Sequence, residues 1–172
     1  EYKRLVVDYM IEEYSLGRTP NPDIMCNQEI KFGMFLRAAV ADGADMIATG
    51  HYAKTDNKNL LRAANDAKDQ TYFLYRVMGE AITKTLFPIG DFATKDEVRA
   101  EAAKRDLSTA AKRDSQGICF VGSVGIREFL SQYVKTKPGD IIDKDSGKVL
   151  GRHDGALFYT FGQRHGLNIG GG

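Results

Sequence analysis

The chain has 172 residues, 42% of them hydrophobic and 27% charged, enough apolar content to bury a core and to exclude wholesale disorder. Lys plus Arg is 24 and Asp plus Glu is 23, so the net charge is +1 and carries no general signature of a nucleic-acid binder. No apolar run approaches the roughly 20 residues of a membrane helix, and no basic-then-apolar leader opens the chain. Two cysteines without CxxC spacing fit a reducing, cytoplasmic compartment better than a disulfide-stapled secreted domain. The absent initiator Met and the closing Gly170-Gly171-Gly172 suggest an excised fragment.

In chain order, Val6, Val7, Met10 and Ile11 predict a first helix over 5–14. Gly17 and the Thr19-Pro20-Asn21-Pro22-Asp23 run predict a stiff, extended loop after it. Ile30, Met34, Phe35 and Ala38 predict a second helix from about Asn27 to Ala41, capped by Gly43. The run 46–49 reads as a buried parallel strand ending at Gly50-His51-Tyr52. Helix, glycine, buried strand, glycine is the rhythm of an α/β domain, and in such folds ligands sit at the carboxyl ends of strands.

Residues 59–62 suggest a further strand, and Phe73, Leu74, Val77, Met78 and Ile82 a helix after Lys68-Asp69-Gln70. Phe87-Pro88-Ile89-Gly90 breaks it. Thr94-Lys95-Asp96-Glu97 is a capping box opening a helix to about Arg105. A short helix carries Ile126, Phe129, Leu130 and Tyr133. Beyond Lys137-Pro138-Gly139 the texture turns to strand: a hairpin around Asp145-Ser146-Gly147, then a strand over 157–161. A domain boundary is expected near 122–125, giving domains 1–122 and 123–172.

Four segments carry candidate chemistry. Asp23 stands three residues before Cys26 at the expected entry of a helix, where unpaired N–H groups favour a thiolate. Asp23 opposes that tendency, and serves instead as a proton acceptor; the alternative is a capping Asp beside an inert Cys. Cys119 follows Gly117 in a loop-like segment and pairs with Cys26 as an exchange-competent couple only if the two meet in space. Thr49-Gly50-His51-Tyr52 follows the buried strand with backbone N–H groups suited to an anion or nucleotide. Lys68-Asp69-Gln70 with Arg62, and Gly162-Gln163-Arg164-His165-Gly166, offer groups that neutralise phosphates and read base edges, or a plain solvated surface. A zinc site from Cys26, His51, Cys119 and His153 matches no compact ligand spacing, so no metal is expected.

Taken in order, Thr19-Pro20-Asn21-Pro22-Asp23-x-x-Cys26-Asn27, Ile30-Lys31-Phe32, Ala48-Thr49-Gly50-His51-Tyr52, Lys68-Asp69-Gln70-x-Tyr72-Phe73-Leu74, Leu86-Phe87-Pro88-x-Gly90, Asp114-Ser115-x-Gly117-Ile118-Cys119-Phe120 and Thr160-x-Gly162-Gln163-Arg164-x-Gly166-Leu167 closely resemble the tRNA-specific 2-thiouridylases over essentially the whole chain. The resemblance implies an α/β fold: the later part of a Rossmann-like PP-loop (adenine nucleotide alpha hydrolase-like) domain, followed by a small, incomplete β-rich central domain. It implies ATP-dependent transfer of sulfur to C2 of the wobble uridine of tRNA, with Mg-dependent ATP use in the full-length parent. By that resemblance Cys26 and Cys119 are catalytic, Cys119 carries the persulfide and Asp23 is the acid/base. Gly50 contacts the nucleotide, Asn21, Pro22 and Asp23 lie beside the target base, and Lys68, Asp69 and Gln70 contact tRNA. Partners implied are tRNA and an upstream persulfide sulfur-carrier protein, with a monomer expected. The family's Ser-Gly-Gly-x-Asp-Ser phosphate loop and C-terminal barrel have no counterpart in this sequence. The alternatives are a tRNA-binding fragment without catalysis, another PP-loop tRNA thiolase, and a thiol oxidoreductase that the missing CxxC disfavours.

Overall fold

The computed structural model describes residues 1–112, 125–167 and 169. They fall in two compact units, Glu1–Val6 with Asp23–Gln116 and Val7–Pro22 with Gly117–Gly172. Among the described residues no helix is long and apolar enough to cross a membrane.

The first helix, α1, is π-wound over Lys3–Asp8 and α-wound over Tyr9–Ser15. The second, α2, is α-helical over Pro22–Met25, π-wound over Cys26–Phe35 and α-helical again over Leu36–Ala41. It therefore begins at Pro22, earlier than the sequence pattern predicts. A proline is well suited to the first helical position, because its φ is already helical and its missing N–H has no partner to lose there. At the other end Gly43 has φ +97°. The Gly43 N–H reaches the Val40 carbonyl (3.0 Å) and the Ala44 N–H the Ala39 carbonyl (2.9 Å), the paired bonds of a Schellman stop. Such a backbone favours glycine.

The remaining elements of the first unit are short. Strand β1 (Ile47–Ala48) pairs in parallel with β4 (Thr85–Leu86), Ile47 opposite Thr85. Between them lie an antiparallel hairpin, β2 (Ala53–Thr55) and β3 (Leu60–Arg62), a 3₁₀ turn (Thr71–Leu74) and helix α3 (Gly79–Thr83). A parallel pair joined by a long crossover is the α/β arrangement that the helix–strand rhythm predicts. Phe32 and Leu36 of α2, Ile47, Ala53, Leu74, Ala81, Ile82 and Phe87 form its core. Each large side chain among them contributes about 1.5–3 kcal/mol by burial. Ala48 is exposed, so the strand is buried on Ile47 only.

The continuous helix expected over 73–82 is instead two pieces. Met78 is extended at φ −63°, ψ 142°, and Gly79, a weak helix former, starts α3 afresh. Both arrangements bury Leu74 and Ile82, so apolar spacing alone did not separate them. Helix α4 (Lys95–Lys104) has the anticipated capping box: Thr94 Oγ1 accepts from the Glu97 N–H, and Glu97 accepts in return from the Thr94 N–H.

In the second unit, helix α5 (Ile126–Ser131) buries Leu130, and α1 buries Met10. Strands β5 (Gly139–Ile142) and β6 (Val149–His153) form the predicted antiparallel hairpin, with a bulge between Ile141 and Ile142. Asp143 closes its turn by accepting from the Ser146 N–H at 2.8 Å. The strand expected over 157–161 is absent. A 3₁₀ turn occupies Ala156–Phe158, with N–H groups of Phe158 and Tyr159 bonded to Gly155 and Ala156 rather than to a neighbouring strand. The Arg127 guanidinium lies over the Tyr159 ring, 4.9 Å from its centre.

Candidate functional site

Asn21 precedes α2, Pro22 opens it and Asp23 lies in its first turn. Cys26 is the fifth helical residue and is buried, at 8% exposure. The thiol therefore sits one turn inside the helix rather than at its entry. The influence of a helix terminus fades within that first turn. Asp23, half-buried and three residues earlier, is the ionisable neighbour that the helix itself supplies. Cys119 lies outside the described residues.

Asn27 is 2% exposed. Its Nδ2 donates to the Phe73 carbonyl at 3.0 Å, while its Oδ1 is buried without a hydrogen-bond partner among the described residues. An orphaned acceptor of this kind costs about 1–3 kcal/mol. Arg76 Nη1 donates to Met25 Sδ at 3.4 Å. These two bonds fasten the 71–76 segment to the residues on either side of Cys26. The motif series contains Asn27 but gives it no role; a polar side chain on a helix otherwise marked by its apolar stripe is the signal that points to it.

The strand-end loop is joined to α2 through Phe32, whose ring lies 5.7 Å from that of His51. His51 Nδ1 is 3.1 Å from Thr49 Oγ1. Burial, aided by the Lys31 charge, lowers the His51 pKa to about 4, so the ring is neutral at pH 7. Gly50 is exposed, and a Cβ built on it would meet nothing within 4 Å. Gly50 thus stands with an open backbone just past the carboxyl end of β1.

Lys68, Asp69 and Gln70 diverge. Gln70 Oε1 accepts from the Tyr52 N–H at 2.9 Å and the Gln70 N–H donates to the Tyr52 carbonyl at 2.9 Å, so Gln70 clamps the loop after His51. Asp69 accepts from the N–H groups of Ala63 (2.7 Å) and Thr71 (3.2 Å) and from the Thr71 hydroxyl. Burial pushes its carboxyl up, but these bonds and the Arg62 charge outweigh it and hold it below the usual range. Lys68 alone extends into solvent. The fold thus gathers Cys26, Gly50 and the 68–70 segment through three contacts: Asn27 with Phe73, Phe32 with His51, and Tyr52 with Gln70. Among the described residues no three His, Cys, Asp or Glu side chains group to hold a metal.

Two family models match the chain. One is described as a tRNA methyl transferase HUP domain, over residues 1–123, and the other as a tRNA methyl transferase PRC-barrel domain, over residues 127–172. The HUP match agrees with the Rossmann-like α/β expectation, and the PRC-barrel match with the β-rich one that follows it. Among similar curated proteins, the tRNA-specific 2-thiouridylase MnmA of Bacillus velezensis is 52% identical, covering 99% of this chain and 47% of its own length. Those of Bacillus subtilis and Legionella pneumophila (strain Lens) are 50% and 53% identical, with 99% of this chain and 47% and 48% of their own lengths covered. The chain spans about half the length of the curated relatives it matches.

Proposed function

From the premise that this chain belongs to the tRNA-specific 2-thiouridylase family, matched through its HUP and PRC-barrel domains, we propose that the complete protein transfers sulfur to C2 of the wobble uridine of tRNA. The observation that carries this is the Asp23–Cys26 helix turn, held by Asn27 and Arg76 against the tyrosine-rich segment and set in a chain about half identical to such enzymes. The family description names methyl transfer. The relatives aligned over 99% of this chain are named as 2-thiouridylases, and that supports sulfur transfer over methyl transfer.

In this reading residues 1–122 are the later part of the catalytic domain and 123–172 an incomplete central domain. ATP with magnesium, held by the complete protein, would supply the activation that makes the uracil C2 oxygen a leaving group. Gly50 leaves the backbone bare where the nucleotide approaches. The outer sulfur of a Cys119 persulfide, loaded by an upstream carrier protein, bonds to C2 as that oxygen departs. The Cys26 thiolate then attacks the Cys119 sulfur, breaking the Cys119–sulfur bond. The sulfur stays on C2, and a Cys26–Cys119 disulfide remains for later reduction. Asp23 takes the Cys26 proton. Asn21 and Pro22 lie beside the target base, and the 68–70 segment meets the RNA, Lys68 through its charge and Asp69 and Gln70 by holding the loop.

The test is thiouridine formation by the complete protein, measured by mass spectrometry of digested tRNA. Cys26→Ser and Cys119→Ser are each expected to lower it at least a hundredfold. Near-normal turnover by either variant overturns the mechanism. Retained tRNA binding without any thiolation by the unaltered protein would favour the reading of a binding module.

A further inference from the structure

The 3₁₀ turn that grips the Cys26 helix has two aromatic rings on its outer side. Tyr72 is 65% exposed and Tyr75 is 64% exposed, while Leu74 of the same turn is 1% exposed and Phe73 is half-buried. In a 3₁₀ turn residues three apart eclipse, so Tyr72 and Tyr75 emerge along one edge. Their ring centres are 6.1 Å apart with planes tilted by 39°. They are not stacked on each other, and neither hydroxyl has a hydrogen-bond partner among the described residues.

Two cations bracket the rings in sequence: Lys68 four residues before Tyr72 and Arg76 immediately after Tyr75. Both are exposed and neither makes an ion pair among the described residues. The one carboxylate within the segment, Asp69, is engaged by Ala63 and Thr71. The turn is fixed rather than loose. Phe73 is held by Asn27 and Arg76 by Met25, so the turn that carries the rings is anchored to the residues that flank the thiol.

We infer that Tyr72 and Tyr75 form a base-stacking surface for unpaired nucleotides of RNA, with Lys68 and Arg76 drawing its phosphates. Every base offers a π-face, and exposed tyrosines with adjacent unpaired cations are the side chains that take one. A base that leaves its stack exposes the faces of its neighbours, and such a surface receives them. This inference rests on the functional reading above, since it takes RNA as the substrate that reaches Cys26.

The test titrates the complete protein against a fluorescein-labelled anticodon stem–loop RNA, read by anisotropy. Tyr72→Ala and Tyr75→Ala are each expected to weaken binding about tenfold. Tyr72→Phe and Tyr75→Phe, which keep the rings, stay within twofold of the unaltered protein. Lys68→Ala and Arg76→Ala each reduce the slope of log affinity against log salt by about 0.7. Unchanged urea midpoints certify that the variants fold. If the alanine variants bind within twofold of the unaltered protein, the stacking surface is overturned and the functional reading stands. If the unaltered protein binds no RNA at all, the reading of this segment as an RNA contact fails and takes the surface with it. If the alanine variants keep their RNA affinity but abolish self-association in sedimentation, the rings cover a second copy and the inference is likewise overturned.

Discussion

At neutral pH His51 is uncharged, because the fold removes its ring from water and sets it near the Lys31 ammonium. The unfolded chain takes up a proton near pH 6.5, whereas the folded ring resists until about pH 4. Acid therefore favours the unfolded state across that window. Stability is expected to fall between pH 6.5 and pH 4 by up to about 3 kcal/mol from this one group. Urea unfolding at a series of pH values checks it, with His51→Gln lacking that component of the slope. Equal slopes in both proteins would contradict the account. Asp69 acts lower still: its depressed carboxyl loses its contribution only as pH drops below the ordinary carboxylate value of 3.8. A second single-residue constraint is Gly90. A Cβ there would lie 1.9 Å from the Ala53 carbonyl oxygen, a backbone atom of β2. Gly90→Ala is expected to cost about 2 kcal/mol through forced displacement, read as a lower urea midpoint. A change under about 0.5 kcal/mol would show that the strand yields freely.

Among the elements, α4 depends most on its ends. It is ten residues long with none buried, shorter than the ~12–15 residues at which an isolated helix becomes even marginal. Its ion pairs, Glu101 with Arg105 and Lys104, are exposed and contribute little. The capping box is thus its main local support, and Asp106 at φ +54° completes a Schellman stop through the Leu107 N–H and the Ala102 carbonyl. Thr94→Ala is expected to destabilise the helix by about 1 kcal/mol. Hydrogen exchange should report it as a roughly fivefold faster opening of the 98–102 amides, with the core amides of Leu74 and Ile82 unchanged. Uniform acceleration across the unit would instead mean that α4 is coupled to the core. Helix α2 makes the opposite case: its length and its buried Phe32 and Leu36 let it carry a buried asparagine with an unpartnered oxygen.

Across the whole molecule, legibility followed the range of the interaction. The α4 cap, the Gly43 stop, the β5–β6 hairpin and the α/β rhythm were readable because each is made by residues a few positions apart. The ordered motif series was likewise readable as a family likeness, from residue types and spacing along the chain. The start of α2 at Pro22 is not legible, because proline serves a stiff loop and a first helical turn alike. The division at Met78 and the turn at 156–158 are not legible either, because apolar spacing records burial and not which backbone path achieves it. Nothing local says that Gln70 faces Tyr52 and Asp69 faces Ala63 while Lys68 remains outside. Those directions come from hydrogen bonds to backbone groups 6 to 18 positions away, formed once the segments meet. Chemistry-bearing residue types and the two capped helix ends, at Thr94 and Gly43, are thus legible in the chain. Which side chains point inward, and that Cys26, Gly50 and Lys68 gather in one unit, came from tertiary packing, because burial and long-range hydrogen bonding are properties of the folded surface and have no local code.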